Sequence, residues 1–550
     1  MPRQLTVYYT SDTHGYFSPV DYAANAAAPT GLSCCAASFR KDGNTLVIDG
    51  GDTLQGSPFT YWLSRQEPGS AGPDIPAALM NLAGYDFVTL GNHDFNYGRE
   101  PLERYLNSLS AVCLCANVEG LPAVRKTALV TLANGLRVGL TGIVTDFINV
   151  WEKPEHLVGI TVSDPVAAAR SALAELKAAG AELTVCIYHG GFERDLQTGR
   201  LLSDTGENRA WEICRDLDFD LLLTGHQHMP LESAELFGTH SCQPPDKARS
   251  FIRCTVTVED LPASPDTGNT RSPGSSADTG KPAAAAALPS GPSAAAAPAR
   301  HIETRLIPAG AAVHPEMAAF LEPLDQEISA WLDRPVGHLD CPLVPDSPIR
   351  MAARGSLIAN FFNQVQLWAS GAELSVTCLG NEIRGFEREI SIRDVVATYI
   401  YPNTLCTLRV SREVLRQALE RSAEYFDLDE TGALRVSEHF LRPKVEHYNF
   451  DYFAGIEVTV DISAPFGQRV TSIRRNGREL TDSESLTLCL NNYRASGAGG
   501  YECYTGCEVV KNSPTEIVEL IMDYISCHPE ITVDKTQWLH LILPERASSD

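Results

Sequence analysis

LTVYYTSDTHG (residues 5–15), TLVIDGGDTLQG (45–56) and FVTLGNHDFNYG (87–98) share one design. Each starts as an apolar run rich in β-branched and aromatic residues and ends in a glycine-bearing cluster of Asp, Asn and His. That is the pattern of a buried strand running into a tight turn. LTVCIYHGGFERD (183–195) and FDLLLTGHQHMP (219–230) repeat it, so strands are predicted at Leu5–Ser11, Thr45–Asp49, Phe87–Gly91, Leu183–His189 and Phe219–Gly225. Before the fourth lies SDPVAAARSALAELKAAG (163–180), a helix with Ser163 or Asp164 as cap, Pro165 in its first turn and Gly180 at its end. Strands alternating with helices, the strands nearly continuously apolar, predict an α/β layered domain.

Further along the chain the character changes. Of the 40 residues at 261–300, 29 are Ala, Pro, Ser or Gly, so almost nothing there can offset ordering entropy. The segment reads as a disordered insertion in a surface hairpin between strand-like Phe251–Val258 and His301–Ile307. The first domain then covers 1–313. His314–Asp333 reads as a linking helix broken near Pro323, and 334–550 forms a second α/β (α+β) region. Its strands are expected near 374–379, 404–410, 456–462 and 485–491, with a helix at Arg412–Phe426.

The totals exclude several classes of function. With 44 Lys+Arg against 69 Asp+Glu, the net charge of −25 argues against binding a nucleic-acid polymer, which needs a basic surface. A small anion remains possible where a metal or a few arginines reverse the sign locally. No run approaches the roughly 18–20 apolar residues of a membrane span, and the N-terminus lacks a signal-peptide pattern. Fifteen cysteines, several inside apolar strand-like runs, fit reduced buried thiols better than a disulfide framework. The expected compartment is cytoplasmic.

The polar residues fall at strand ends, where open α/β sheets gather their ligands. Asp12, His14, Asp52, Asn92, His189, His226 and His228 offer three oxygen and four imidazole donors. That set suffices for two divalent ions about 4 Å apart sharing one carboxylate, the arrangement used in phosphate-ester hydrolysis. Mixed nitrogen and oxygen ligation suits Mn, Fe, Co or Zn, and the absence of thiolates argues against a closed structural zinc site. Any one of these motifs alone is more often a plain turn; five in order at strand ends are not.

SDTHG, GGDTLQGS, GNHDFNYG, YHGGFERDLQTG with TGEN, and TGHQH together resemble the calcineurin-like metallophosphoesterases, in particular the branch of 5′-nucleotidases and 2′,3′-cyclic-nucleotide 2′-phosphodiesterases. YIYPNTL (399–405), HYNFDYFAGIEVTVDIS (447–463) and NNYRASGAGGYE (491–502) resemble that family's C-terminal nucleotide-binding domain. The resemblance implies a four-layer αββα sandwich followed by a substrate-binding domain. It implies Asp12, His14, Asp52 and His228 on one metal and Asp52, Asn92, His189 and His226 on the other. His93 and Asp94 would be a catalytic pair, Asp94 orienting the imidazole. Tyr401 and Tyr493 would stack the base, with Asn403 hydrogen-bonding it. Arg350, Arg354 and Arg384 are weaker candidates for a phosphate or ribose edge, since LGNEIRGF (379–386) only partly echoes the family's glycine-rich segment.

The expected activity is hydrolysis of 2′,3′-cyclic, 3′- or 5′-nucleotides to nucleoside and phosphate. The alternatives are a nucleotide-sugar or dinucleotide pyrophosphatase and a catalytically idle nucleotide-binding protein. The family also implies rotation of the two domains about the 314–333 helix.

Overall fold

The computed structural model describes residues 2–66, 74–202, 206–259, 300–381, 383–399, 403–442 and 445–543. The insertion at 261–300, except Arg300, and Tyr401 lie outside the described residues.

The Arg3–Thr10 strand sits inside a seven-stranded sheet, parallel to Thr45–Asp49 (Tyr9 opposite Ile48) and antiparallel to Ser250–Val258 (Tyr9 opposite Ile252). Phe87–Val88, Val112–Leu114 and Val124–Arg125 extend one side of it, and Arg300–Pro308 closes the other. A six-stranded sheet holds Arg137–Val144, Leu183–His189 and Leu221–Thr224 in parallel at its centre.

Side-chain alternation decides how these sheets stack. Leu5, Val7, Tyr9, Leu46 and Ile48 from the first pack against Val138, Leu140, Val185, Ile187 and Leu223 from the second. The opposite faces are covered by helices. Tyr8, Val47 and Val88 meet the helices at Leu32–Ala36, Pro58–Ser64 and Ile75–Ala83, while Ile143, Cys186 and Leu222 meet Pro165–Ala178 and Ala210–Asp216. The result is the expected αββα sandwich. A strand needs an apolar residue at every position when both of its faces are covered, which is why these runs barely alternate in polarity. In the Pro165–Ala178 helix the Asp164 carboxylate accepts from Ala167 N–H at 2.7 Å, and Pro165 occupies the first turn.

The Ser250–Val258 and Arg300–Pro308 strands pair antiparallel, with Val258 opposite Arg300, so the chain between them leaves and re-enters one edge hairpin. The second region has a five-stranded sheet in the order Asp451–Ala454, Leu374–Cys378, Ser485–Asn491, Thr404–Ser411, Glu508–Glu516. The helices Leu357–Ser370 and Arg412–Ala423 lie on it.

The helix between the two regions runs unbroken from Pro315 to Leu332, with Pro323 inside it. This corrects the expected break. Proline removes one N–H and crowds the carbonyl four residues back, but Met317, Leu321, Ile328 and Leu332 are buried on both sides of it, and that packing carries the helix through. Asp325 accepts hydrogen bonds from Ser18 and Tyr22 hydroxyls, both at 2.6 Å, fastening the helix to the sandwich. Arg393 grips it from the other side, donating to Ser329 and to the Tyr22 carbonyl. Because Pro323 is exposed, Pro323→Ala should restore the missing donor without disturbing packing. It should stabilise the protein by about 1–3 kcal/mol in chemical denaturation, up to the full proline penalty in a helix interior; an unchanged midpoint would mean the helix carries no strain there.

Candidate metal centre

The strand ends converge at one edge of the sandwich. Asp12, His14, Asp52, His226 and His228 all have positive φ, between 49° and 71°, and they make up half of the ten such non-glycine residues described. A non-glycine side chain in that region costs of order 1–3 kcal/mol, and such residues collect where surroundings force them for a function. Glycines make the close approach possible. A Cβ on Gly91 would strike the Asp52 carboxylate, and one on Gly225 would strike Ser11 and Asp12.

Two trios result, Asp12, His14 and His228 in one and Asp52, His189 and His226 in the other. In each, the ligand atoms lie within 4.8 Å of one another. Asp52 Oδ2 is 3.1 Å from His189 Nε2 and 4.0 Å from His14 Nε2, so it reaches toward both trios. Asn92 Oδ1 lies 3.2 Å from His189 Nε2, which puts it beside the second trio.

The ring nitrogens facing away are occupied. His14 Nδ1 meets the Gln55 carbonyl at 2.9 Å and His189 Nδ1 the Gly50 carbonyl at 2.7 Å. A carbonyl can only accept, so both rings carry a proton on Nδ1 and turn Nε2 inward. His226 Nε2 is engaged by Glu207 at 2.8 Å, and the Trp151 ring stacks on its imidazole with centroids 5.6 Å apart. His14 Nε2 and His228 Nε2 face each other at 3.0 Å, while the buried Asp52 Oδ2 makes no hydrogen bond. Buried nitrogen and oxygen ligand atoms converging from several strand ends are the signature of a cation site, and this donor set fits two divalent ions. Glu207, Trp151 and the Gly50 and Gln55 carbonyls were not singled out from the sequence. Glu207, Gly50 and Gln55 stood in quoted motifs, but carbonyl direction leaves no trace in residue identity.

His93 stands at the edge of the cluster, half-buried, its ring 5.3 Å from that of His14 and its main-chain N–H donating to Asp52 Oδ1 at 2.7 Å. The expected pairing with Asp94 is corrected here. Asp94 accepts from four main-chain N–H groups, those of Gly91, Asp52, Thr53 and Leu54, at 2.8–3.0 Å. Both its oxygens are thereby committed. In the short Asn92–Phe95 turn of helix the His93 ring instead meets Asn96, whose Oδ1 lies 2.7 Å from His93 Nδ1.

Residues 5–230 match the family of calcineurin-like phosphoesterases, and residues 335–506 match the 5′-nucleotidase C-terminal domain. The chain belongs to the calcineurin-like phosphoesterases that carry a 5′-nucleotidase C-terminal domain. It is 24% identical to the 2′,3′-cyclic-nucleotide 2′-phosphodiesterase/3′-nucleotidase of Haemophilus influenzae over 96% of its own length and 85% of that protein's. It is 23% identical to the trifunctional nucleotide phosphoesterase YfkN of Bacillus subtilis over 95% of its own length, but spans only 38% of that longer chain. Among solved structures, a Staphylococcus aureus protein assigned to the 5′-nucleotidases and crystallised with α-ketoglutarate superimposes with a TM-score of 0.71 at 29% identity, covering 98% of this chain and 100% of the other.

In the C-terminal domain of this phosphoesterase, Leu405 lies opposite Asn491 and the Asn492 side chain accepts from Thr404 N–H. Asn403 and Tyr493 therefore leave neighbouring strands at the same end. Tyr493 is 43% exposed, while the next residue, Arg494, is fully buried. Arg494 is held by Asp451 at 2.9 Å, the Ala498 carbonyl at 2.7 Å and the Tyr448 carbonyl at 3.1 Å, and lies over the Tyr501 ring. That anchor fixes the loop that presents Tyr493. Arg350, Arg354 and Arg384 are exposed, and Arg350 lies 3.7 Å from Asp346. No described contact joins them to the metal cluster. Two second-domain carboxyls act at its rim, Glu516 through the charges of His93 and His228 and Glu519 through Gln55 and Tyr97. Glu519 accepts from Gln55 at 3.1 Å and Tyr97 at 2.9 Å. Burial pushes the Glu516 carboxyl up to about 7, with His93 pulling against that shift.

Electrostatically the cluster is an imidazole–carboxylate network. Burial and the charge of His228 push His14 down to about 3. Burial also works against a proton on His189, but the adjacent Asp52 carboxylate outweighs it and holds this ring up at about 10. Ligation takes neutral imidazole, so a divalent ion must displace the His189 proton at any pH below that value. Titration calorimetry with Mn²⁺ in buffers of different ionisation enthalpy should show net proton release and an apparent affinity that rises with pH. A heat independent of buffer would contradict this.

Among the described residues no helix is long and apolar enough to cross a membrane.

Proposed function

We propose that this phosphoesterase hydrolyses nucleotide phosphate esters, 2′,3′-cyclic and 3′-nucleotides foremost, with 5′-nucleotides as further substrates. The observation that carries the reading is the pair of converging ligand trios with His93 beside them. Support for the substrates comes from relatives named for 2′,3′-cyclic and 3′-nucleotides that align over 90–96% of the chain, and from the 5′-nucleotidase structure that covers 98% of it.

Asp12, His14, Asp52 and His228 would hold one ion and Asp52, Asn92, His189 and His226 the other; Mn, Co, Zn and Fe all suit these donors. Such ions neutralise phosphoryl oxygens and lower the pKa of water toward neutrality. The protein's own groups supply the rest. His93 is placed to stabilise or protonate the leaving oxygen, its position fixed through the main chain by Asp52 and through the ring by Asn96. Base recognition is assigned to Tyr493, Tyr401 and Asn403. Stacking contributes roughly 1–3 kcal/mol per base and tolerates any base, so purines and pyrimidines should be accepted alike. Fifteen free cysteines, most of them buried, support a reducing compartment such as the cytoplasm.

Phosphate release from 2′,3′-cyclic AMP, 3′-AMP and 5′-AMP tests the reading, using chelated protein reloaded with Mn²⁺, Co²⁺ or Zn²⁺. Turnover should require metal, and His93→Ala should lower it roughly 10²–10⁴-fold with metal content unchanged. No release from any substrate with metal bound would sink the proposal and favour pyrophosphate substrates.

A further inference from the structure

A chain of hydrogen bonds leads from His93 away from the metal cluster. His93 Nδ1 meets Asn96 Oδ1 at 2.7 Å, and Asn96 Nδ2 donates to Glu152 Oε2 at 2.7 Å. The other Glu152 oxygen faces Lys153 N–H at 2.7 Å and His156 Nδ1 at 2.8 Å. Glu152 is 7% exposed, so water does not complete its shell. The residue before it, Trp151, stacks on the metal-ligand candidate His226. One short stretch thus reaches both the metal cluster and the acid–base group.

The chemistry of this chain has a direction. An ionised carboxylate only accepts, so Asn96 must turn its NH₂ toward Glu152 and its carbonyl toward His93. A carbonyl also only accepts, so His93 must keep a proton on Nδ1, and the proton it gives to the reacting oxygen is then the one on Nε2. The amide alone could not impose this, since it presents a donor or an acceptor equally well once flipped.

We propose that Glu152 is a positioning residue for the reaction, setting the tautomer and ring plane of His93 through Asn96. The proposal rests on the phosphoesterase reading for its effect on turnover, while the tautomer it assigns follows from the hydrogen bonds themselves. Glu152→Gln gives the side chain a donor of its own. Its single oxygen must choose between Asn96 and the Lys153 N–H, and Asn96 is released to flip. Asn96→Asp sets two carboxylates face to face. The double variant N96D/E152Q reverses both polarities consistently. The carboxylate introduced at position 96 would accept from the amide introduced at position 152 and from His93 Nδ1–H. The oxygen of that amide would accept from the Lys153 N–H.

The test combines two readouts. In metal-free protein carrying ¹⁵N-labelled histidine, with His93 assigned by its loss in His93→Ala, wild type should show the Nδ1–H tautomer. Glu152→Gln should show a mixture, and N96D/E152Q should return to the wild-type form. On 2′,3′-cyclic AMP with Mn²⁺, Glu152→Gln should lower kcat by about 10–100-fold, the range for partners that orient a site residue. KM and metal content should be unchanged, and the double variant should recover most of kcat. A Glu152→Gln protein with wild-type tautomer and kcat would overturn the proposal. So would a folded, metal-loaded double variant no better than either single one. If wild type turns over none of the nucleotides, the function reading fails, while the tautomer result still decides the role of Glu152.

Discussion

Asp94 carries a buried carboxyl satisfied by four main-chain N–H groups. Burial and the neighbouring Asp52 push its pKa up while those hydrogen bonds oppose the rise. One side chain thereby ties the turn after the second strand to the turn after the third. Asp52 then accepts from His93 N–H, locking the shared ligand candidate to the acid–base candidate. Losing a partner from such a network leaves several buried donors unmet, at roughly 1–3 kcal/mol each. The left-handed backbone at Asp12, His14, Asp52, His226 and His228 is held against this background.

The same logic orders the imidazoles. Main-chain carbonyls from Gly50 and Gln55 take one nitrogen of His189 and His14, so each ring offers only the other to the centre. Glu207 does this for His226 with a carboxylate, and Trp151 supports the ring face. The ligand candidates are placed less by their own contacts with one another than by turns whose carbonyls and carboxylates point outward from the cluster.

The second domain meets the first through polar contacts. Glu519 joins Gln55 and Tyr97, Arg65 pairs with Asp523, and Arg393 grips the linking helix. Gln55 is one residue from Gly56, whose Cβ would strike His14, and its carbonyl orients that histidine. The domain contact and the metal cluster therefore share a loop. The Tyr493 loop gets its rigidity separately, from the buried Arg494 and its ion pair with Asp451.

The metal-ligand candidates were legible in the sequence because strand ends must carry them and because a site of this kind needs Asp, Asn and His in bulk. Buried strands and the Pro165–Ala178 helix could be read for a similar reason, since apolar continuity and end signals are local properties. The orientation of His93 could not be read. Asp94 and Asn96 are both polar, both close and both chemically suited to an imidazole; only the fold shows that four N–H groups occupy the first and leave the ring to the second. Pro323 reads as a break because proline acts locally, whereas the packing of Met317, Leu321, Ile328 and Leu332 that overrides it is tertiary. Nor does residue order reveal that Glu152, 56 positions from Asn96, is the acceptor that gives the chain its polarity. Sequence determined which groups are available and at which strand ends; tertiary structure decided which donor meets which acceptor, because hydrogen-bond direction depends on angles set by distant parts of the chain.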